Sequence, residues 1–159
     1  MELLYCARTK AYIKAQERKL VTKELHSKEK AIIAAVAAHD KKASDIMVQK
    51  VGELISVTDY FVIATASNNR QVQAIIDEIE TKEREKAGVK PLHREGTGDG
   101  AWALLDYGDF VVHVFQEEAR NYYRLEALWN DAPVIDLAQE AGLTELEYSD
   151  RIEKLLKPS

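Results

Sequence analysis

One cysteine, Cys6, is all the sequence holds, so neither an internal disulfide nor a thiolate cage for a metal can form within the chain. No apolar run comes near the roughly 20 residues needed to cross a bilayer. The start, MELLYCAR, has too short an apolar stretch for a secretory signal, because Arg8 ends it. Glu2, Glu17 and Glu24 spoil the acid-poor composition of an organelle leader. Together these absences favour a reducing, cytoplasmic setting and no membrane partner. Catalytic signatures are missing as well. His26, His39, His93 and His113 show no HExxH or HxxxH spacing, which argues against a preformed metal site. There is no P-loop and no GxSxG elbow, and GTGDG (96–100) opens like a dinucleotide fingerprint without the strand-to-helix turn that gives one meaning. No cofactor is expected.

Positive charge is in short supply too. The net charge of −5 argues against RNA or DNA as the main partner, since such affinity is chiefly phosphate neutralisation by Lys and Arg. The imbalance is uneven. Residues 1–30 carry eight Lys/Arg against four Asp/Glu, whereas residues 117–159 carry five against ten. An acidic end suits a protein that meets a basic partner; two solvated faces would give the same counts.

What is present describes one domain. The 159 residues are enough to bury about two thirds of the unfolded surface. Residues 1–27 predict a weakly committed helical extension. Ser27 is placed to cap a first helix whose Ile32, Ile33, Val36 and Ala37 share a face. DIMVQKV (45–51) alternates as a strand, and YFVIATA (60–66) is nearly continuous, as a strand covered on both faces would be. Ser67, Asn68 or Asn69 can cap a second helix carrying Val72, Ile75, Ile76 and Ile79, with Gly88 as its terminator. A short strand (90–96) and a hairpin of 101–107 and 109–116 about Gly108 follow. The last helix, Glu117 to Trp129, is expected to bury Ala119, Tyr122, Leu125 and Leu128 or Trp129. The order α β β α β β β α predicts an α/β (α+β) domain with a single mixed sheet of about five strands flanked by helices.

The tight turn fixes parity. Trp102, Leu104 and Asp106 fall beside Val111, His113 and Phe115; Ala103, Leu105 and Tyr107 fall with Phe110, Val112 and Val114 on the other side. Both faces are apolar, and the one holding Trp102 and His113 is the candidate for incomplete cover. Trp102 then reads either as an interface anchor or as a residue closing the edge of the core. A sheet can also set His93 and His113 on adjacent strands, although a lone strand histidine is more often a hydrogen-bonded core residue than a ligand.

The enzyme chemistry that best suits a small mixed sheet is nucleotidyl transfer, which needs two carboxylates on one strand to hold Mg²⁺ and a turn to hold phosphates. Asp59 opens DYFVI, but Phe61 stands where the second carboxylate belongs. Asp106 and Asp109 flank a turn, Glu117 and Glu118 face different ways on a helix, and no phosphate loop accompanies them. A nucleotidyltransferase-type or nucleotide-binding enzyme remains the alternative reading.

Three strings carry a more specific signal: LISVTDYFVIATASNNRQVQAI, KPLHREG and WALLDYGDFVVHVFQEEARNYYRLEALW. Over about residues 28–137 the chain resembles the Iojap-related ribosomal silencing factors of bacteria and organelles. The resemblance implies a nucleotidyltransferase-like fold without the catalytic residues, and a binding protein instead of an enzyme. It implies binding to protein fourteen of the large ribosomal subunit, where the small subunit would bridge, so that steric exclusion lowers translation when nutrients are scarce. By the same resemblance Trp102 is the buried anchor with Leu104 beside it, and Glu117, Glu118, Arg120 and Tyr123 match an ExxRxxY pattern whose acids suit a basic ribosomal protein. Residues 1–27 and the acidic tail 138–159 depart from the compact family pattern, and a homodimer using the same apolar face is a third possibility.

Overall fold

The computed structural model describes residues 25–97 and 100–156; the extension read over 1–27 lies outside them except for its last three residues. Helix α1 (Ser27–Asp40) opens the fold. Ser27 does not cap it. His26 takes that place in an extended conformation, its backbone N–H donating to the Glu29 carboxylate at 3.1 Å. The Ser27 hydroxyl instead donates to Asp59 and to Asp109, at 3.2 and 3.0 Å, while Lys30 pairs with Asp109 at 2.6 Å. These contacts pin the helix start to the sheet. The buried stripe of α1 is also not the isoleucine face expected: Ala31, Ala34, Ala35, Ala37 and Ala38 are fully covered, and Ile32, Ile33 and Val36 only partly. Small side chains let the helix lie close to its neighbours, so the alanines take the interior.

Strands β1 (Ser44–Lys50) and β2 (Tyr60–Ala66) come next, and both are buried on both faces along their middles, β1 without the alternation its sequence suggests. Helix α2 (Asn69–Ala87) is capped by Asn68, whose side chain accepts from the Gln71 N–H, and stops at Gly88, held at φ 67°. Its Val72, Ile75, Ile76 and Ile79 are fully buried. The third strand contracts to β3 (His93–Glu95), and β4 (Trp102–Asp106) and β5 (Phe110–Gln116) form the hairpin. At its turn Gly108 adopts φ 91°, and its N–H is held by the Asp106 carboxylate at 2.8 Å.

The five strands make one mixed sheet in the order β1-β2-β5-β4-β3, with β2 and β5 parallel and the other neighbours antiparallel. Because β4 lies between β3 and β5, His93 and His113 are not on adjacent strands. Helices α1 and α2 cover one face, on which Ala103, Leu105, Phe110, Val112 and Val114 are buried. Among the described residues the other face carries only short elements: α3 (Glu117–Tyr123) and α4 (Leu125–Leu128). The chain then returns along β1, Lys50 donating its N–H to Pro133 and Ile135 to Val48, before α5 (Leu137–Ala141) and α6 (Asp150–Leu156). Residues 138–156, read from sequence as a tail, are docked: Ile152 is fully buried and the Tyr148 hydroxyl donates to the Ile46 carbonyl at 2.9 Å.

Glu83 lies on the covered side of α2, and neither carboxylate oxygen has a hydrogen-bond partner among the described residues. Burial pushes its pKa up to about 8, against the opposing pull of Lys30. The folded chain therefore keeps a proton there that the unfolded chain gives up near pH 4.5, and this contribution to stability falls as pH rises from 4.5 to 8. Glu83→Gln should raise the unfolding free energy by on the order of 2 kcal/mol at pH 8 and change it little near pH 4.5. Urea denaturation at the two pH values checks this.

Candidate functional site

The hairpin register sets the site. Trp102 pairs with Phe115, Leu104 with His113 and Asp106 with Val111, the pairing that parity predicts. These side chains project from the face that α1 and α2 leave uncovered. Phe61, Ile63 and Phe115 are buried there, while Trp102, Val111 and Trp129 pack on them only partly covered. The Trp102 ring stacks on Phe115 at 4.8 Å and touches Tyr123 at the same centroid distance. Tyr123 is half exposed, and Tyr122, which meets it edge-on at 5.1 Å, is almost wholly in solvent. The result is an aromatic step: a covered base of Phe61 and Phe115, a half-covered Trp102, and tyrosines at the rim.

Beneath Trp102 lies His113, which is 4 % exposed. The indole Nε1–H donates to His113 Nδ1 at 3.1 Å. An indole can only donate, so Nδ1 accepts and the imidazole proton sits on Nε2. That nitrogen has no hydrogen-bond partner among the described residues. Burial drives the His113 pKa down to about 3, and the positive charge of Arg120 adds to the shift. The histidine is thus a neutral acceptor that fixes the indole edge and leaves the ring faces free for packing.

Helix α3 starts where β5 ends. Gln116 ties the junction to the preceding loop, its amide N–H donating to Ala101 at 3.0 Å and its side chain to Gly100 at 2.9 Å. Glu117 and Glu118 fall in the first turn, both exposed, where the helix dipole favours negative charge. Of the six residues singled out from sequence, Trp102, Leu104, Glu117, Glu118 and Tyr123 reach the surface. Arg120 does not. Its side chain is 1 % exposed and pairs with the fully buried Glu126 at 3.2 Å. It also donates to the Asp45 carbonyl and the Thr65 hydroxyl, each at 2.8 Å, so in this fold it belongs to the interior.

The same ion pair corrects the reading of one helix over 117–129. On a straight helix residues six apart are about 9 Å apart along the axis and point to different sides. Arg120 meets Glu126 because the chain breaks at Arg124, which adopts φ 49° and separates α3 from α4. With Arg120 and Glu126 turned inward, Tyr122, expected in the core, is left exposed, and of the alternatives Leu128 and Trp129 it is Trp129 that packs on the sheet.

Other groupings escaped the sequence. Asp59 and Asp109, far apart in the chain, share the Ser27 hydroxyl at the entrance of the parallel strands β2 and β5. They are bound up with Ser27 and Lys30 in holding α1, and among the described residues no group of three or more His, Cys, Asp or Glu could hold a metal ion. Arg151 joins the Arg120–Glu126 pair from the C-terminal helix. A pair signalled only by opposite charges at long separation has no period or motif by which to be found.

A family model described as "Ribosomal silencing factor during starvation" matches residues 24–154. The chain is similar to the ribosomal silencing factor RsfS of Bacillus subtilis, 45% identical over 105 residues that cover 66% of this chain and 88% of that protein. It is also similar to the chloroplastic protein Iojap of Zea mays, 40% identical over 110 residues, 67% of this chain but only 46% of the longer plant protein. Among solved structures, a Chromobacterium violaceum protein superposes with a TM-score of 0.63 at 38% identity, covering 65% of this chain and 86% of the other. A Bacillus halodurans protein gives 0.58 at 36% identity, covering 66% and 94%.

Two outcomes follow from the site. The His113 ring should not titrate between pH 8 and 5 when followed by NMR; since its folded pKa lies below its unfolded 6.5, the unfolded chain binds more protons and stability falls as pH drops from 6.5 towards 3. Arg120→Ala, which leaves the buried Glu126 with Arg151 as its remaining cation and strips the Asp45 carbonyl and Thr65 hydroxyl of their donor, should cost about 3 kcal/mol in chemical denaturation, more than an exposed interface residue would.

Proposed function

The chain belongs to the family of ribosomal silencing factors, and we propose that it docks on the large ribosomal subunit, on its protein fourteen, and by its bulk keeps the small subunit from joining. The single observation that carries this reading is Trp102, partly exposed on a sheet face that long helices leave open, braced by Phe115 and His113 and flanked by Tyr123. A rigid aromatic with its polar edge already satisfied loses little freedom on docking, which is what an interface anchor requires. Leu104 extends the apolar surface along the same strand face, and Glu117 and Glu118 add exposed negative charge beside it, suited to a basic ribosomal protein. Steric exclusion asks for affinity and placement, not for a nucleophile, a metal or a cofactor, and the neutral His113 is consistent with that. The factor would act in the compartment where the subunits meet, the cytoplasm in a bacterium, and would lower translation under nutrient limitation.

Sedimentation through sucrose gradients tests it. Wild-type protein should travel with free large subunits and not with joined ribosomes, and saturating amounts should slow subunit joining followed by light scattering. Trp102→Ala should keep its fold, because the ring is already partly in solvent, and lose about 2 kcal/mol of binding, roughly 30-fold. Subunits that join at the usual rate in the presence of the wild-type chain would defeat the proposal.

A further inference from the structure

Helix α6 reaches the elements beside the docking face through Arg151. Arg151 donates from Nη1 to the buried carboxylate of Glu126, from Nη2 to the Arg120 carbonyl at 3.3 Å, and from Nε to the Asn121 side chain at 3.2 Å. The last two acceptors, a backbone carbonyl and a side-chain amide oxygen, lie in the final turn of α3. The Arg120 carbonyl already accepts from the Arg124 amide at the left-handed break. One guanidinium therefore closes the end of α3 from outside and ties it to α4 through Glu126. It is itself held: Ile152 next to it is fully buried, and the Ser149 N–H just before α6 is bound by the Asp45 carboxylate at 2.6 Å.

From this we infer that Arg151 is a positioning residue for the docking face. It sets where α3 ends, and so where Tyr123, three residues beyond Arg120, lies against Trp102. The inference rests on the docking reading above and gives the segment 138–156 a role in it. A fork of parallel N–H donors is needed. A lysine in its place keeps the charge beside Glu126 but cannot reach the carbonyl and the Asn121 side chain together. Arg120 still pairs with Glu126 when Arg151 is removed, so the buried carboxylate is not abandoned and the fold survives.

Two measurements on the full chain test it. In the free protein, NMR cross-peaks between the Tyr123 and Trp102 rings should be present in wild type and weakened in Arg151→Ala. Binding to purified large subunits should fall about tenfold in Arg151→Ala, yet by less than about twofold when the same change is added to Tyr123→Ala, because the two act through one contact. A purely structural arginine would lower binding equally in both backgrounds, and that result, or unchanged cross-peaks, overturns the inference. Arg151→Lys, expected to fold as wild type and still lose the ring contact, decides the matter if the alanine variant fails to fold. Should wild type not bind large subunits at all, the docking proposal fails while the cross-peaks still judge Arg151.

Discussion

Two opposite charges out of water, Arg120 and Glu126, determine how the chain passes from the sheet to everything that follows. Each costs several kcal/mol to desolvate, and the pairing offsets that cost only if the geometry is good and the remaining donors find acceptors. Arg120 meets most of this demand with Glu126, the Asp45 carbonyl and the Thr65 hydroxyl, and Arg151 supplies a second cation to Glu126. Asp45 presents its carbonyl from a left-handed residue at an irregularity in β1, and Thr65 lies on β2. The pair thus fastens α3 to two strands and to the C-terminal helix at once. Its demand for proximity breaks the helix at Arg124, and the break turns Tyr122 and Tyr123 outward beside Trp102.

Apolar patterning made the sheet legible. Strand β2 was readable to the residue, the hairpin register followed from parity about Gly108, and the Val72–Ile79 stripe of α2 was visible at helical spacing. In each case burial depends on residues a few positions apart. What escaped depends on partners distant in the chain. The alanine face of α1 was misjudged because isoleucine outranks alanine in hydrophobicity, whereas close approach selects for small size. The helix over 117–129 was misjudged because a period of apolar positions cannot register a buried ion pair. Ser27, suited to a cap, was claimed by two carboxylates contributed by distant turns. Among the residues singled out for a partner, Arg120 is the one whose side chain the fold takes inside.

The face around Trp102 is built without reactive groups. Its histidine is held neutral by burial, its tryptophan has its one donor satisfied, and its base is phenylalanine. On the other side of the sheet, under α2, burial pushes the Glu83 carboxyl up to about 8. That carboxyl lies under the long helices, away from the residues proposed to meet a partner.

The edges of the sheet explain why the face, and not a strand, is the surface on offer. A free edge invites another strand to add. Along β1 the outer edge is taken up by the chain's own return, with Lys50 donating to Pro133, Ile135 to Val48 and Asp45 to Glu147. At the other edge β3 is only three residues long, and its side chains are polar and paired, His93 with Glu95 and Arg94 with Glu80. Short, charged edges discourage strand addition. What the sheet presents beyond its edges is side chains standing on the face around Trp102. On the proposed docking, contact would fall to the half-covered Trp102 and to the exposed acids at the start of α3.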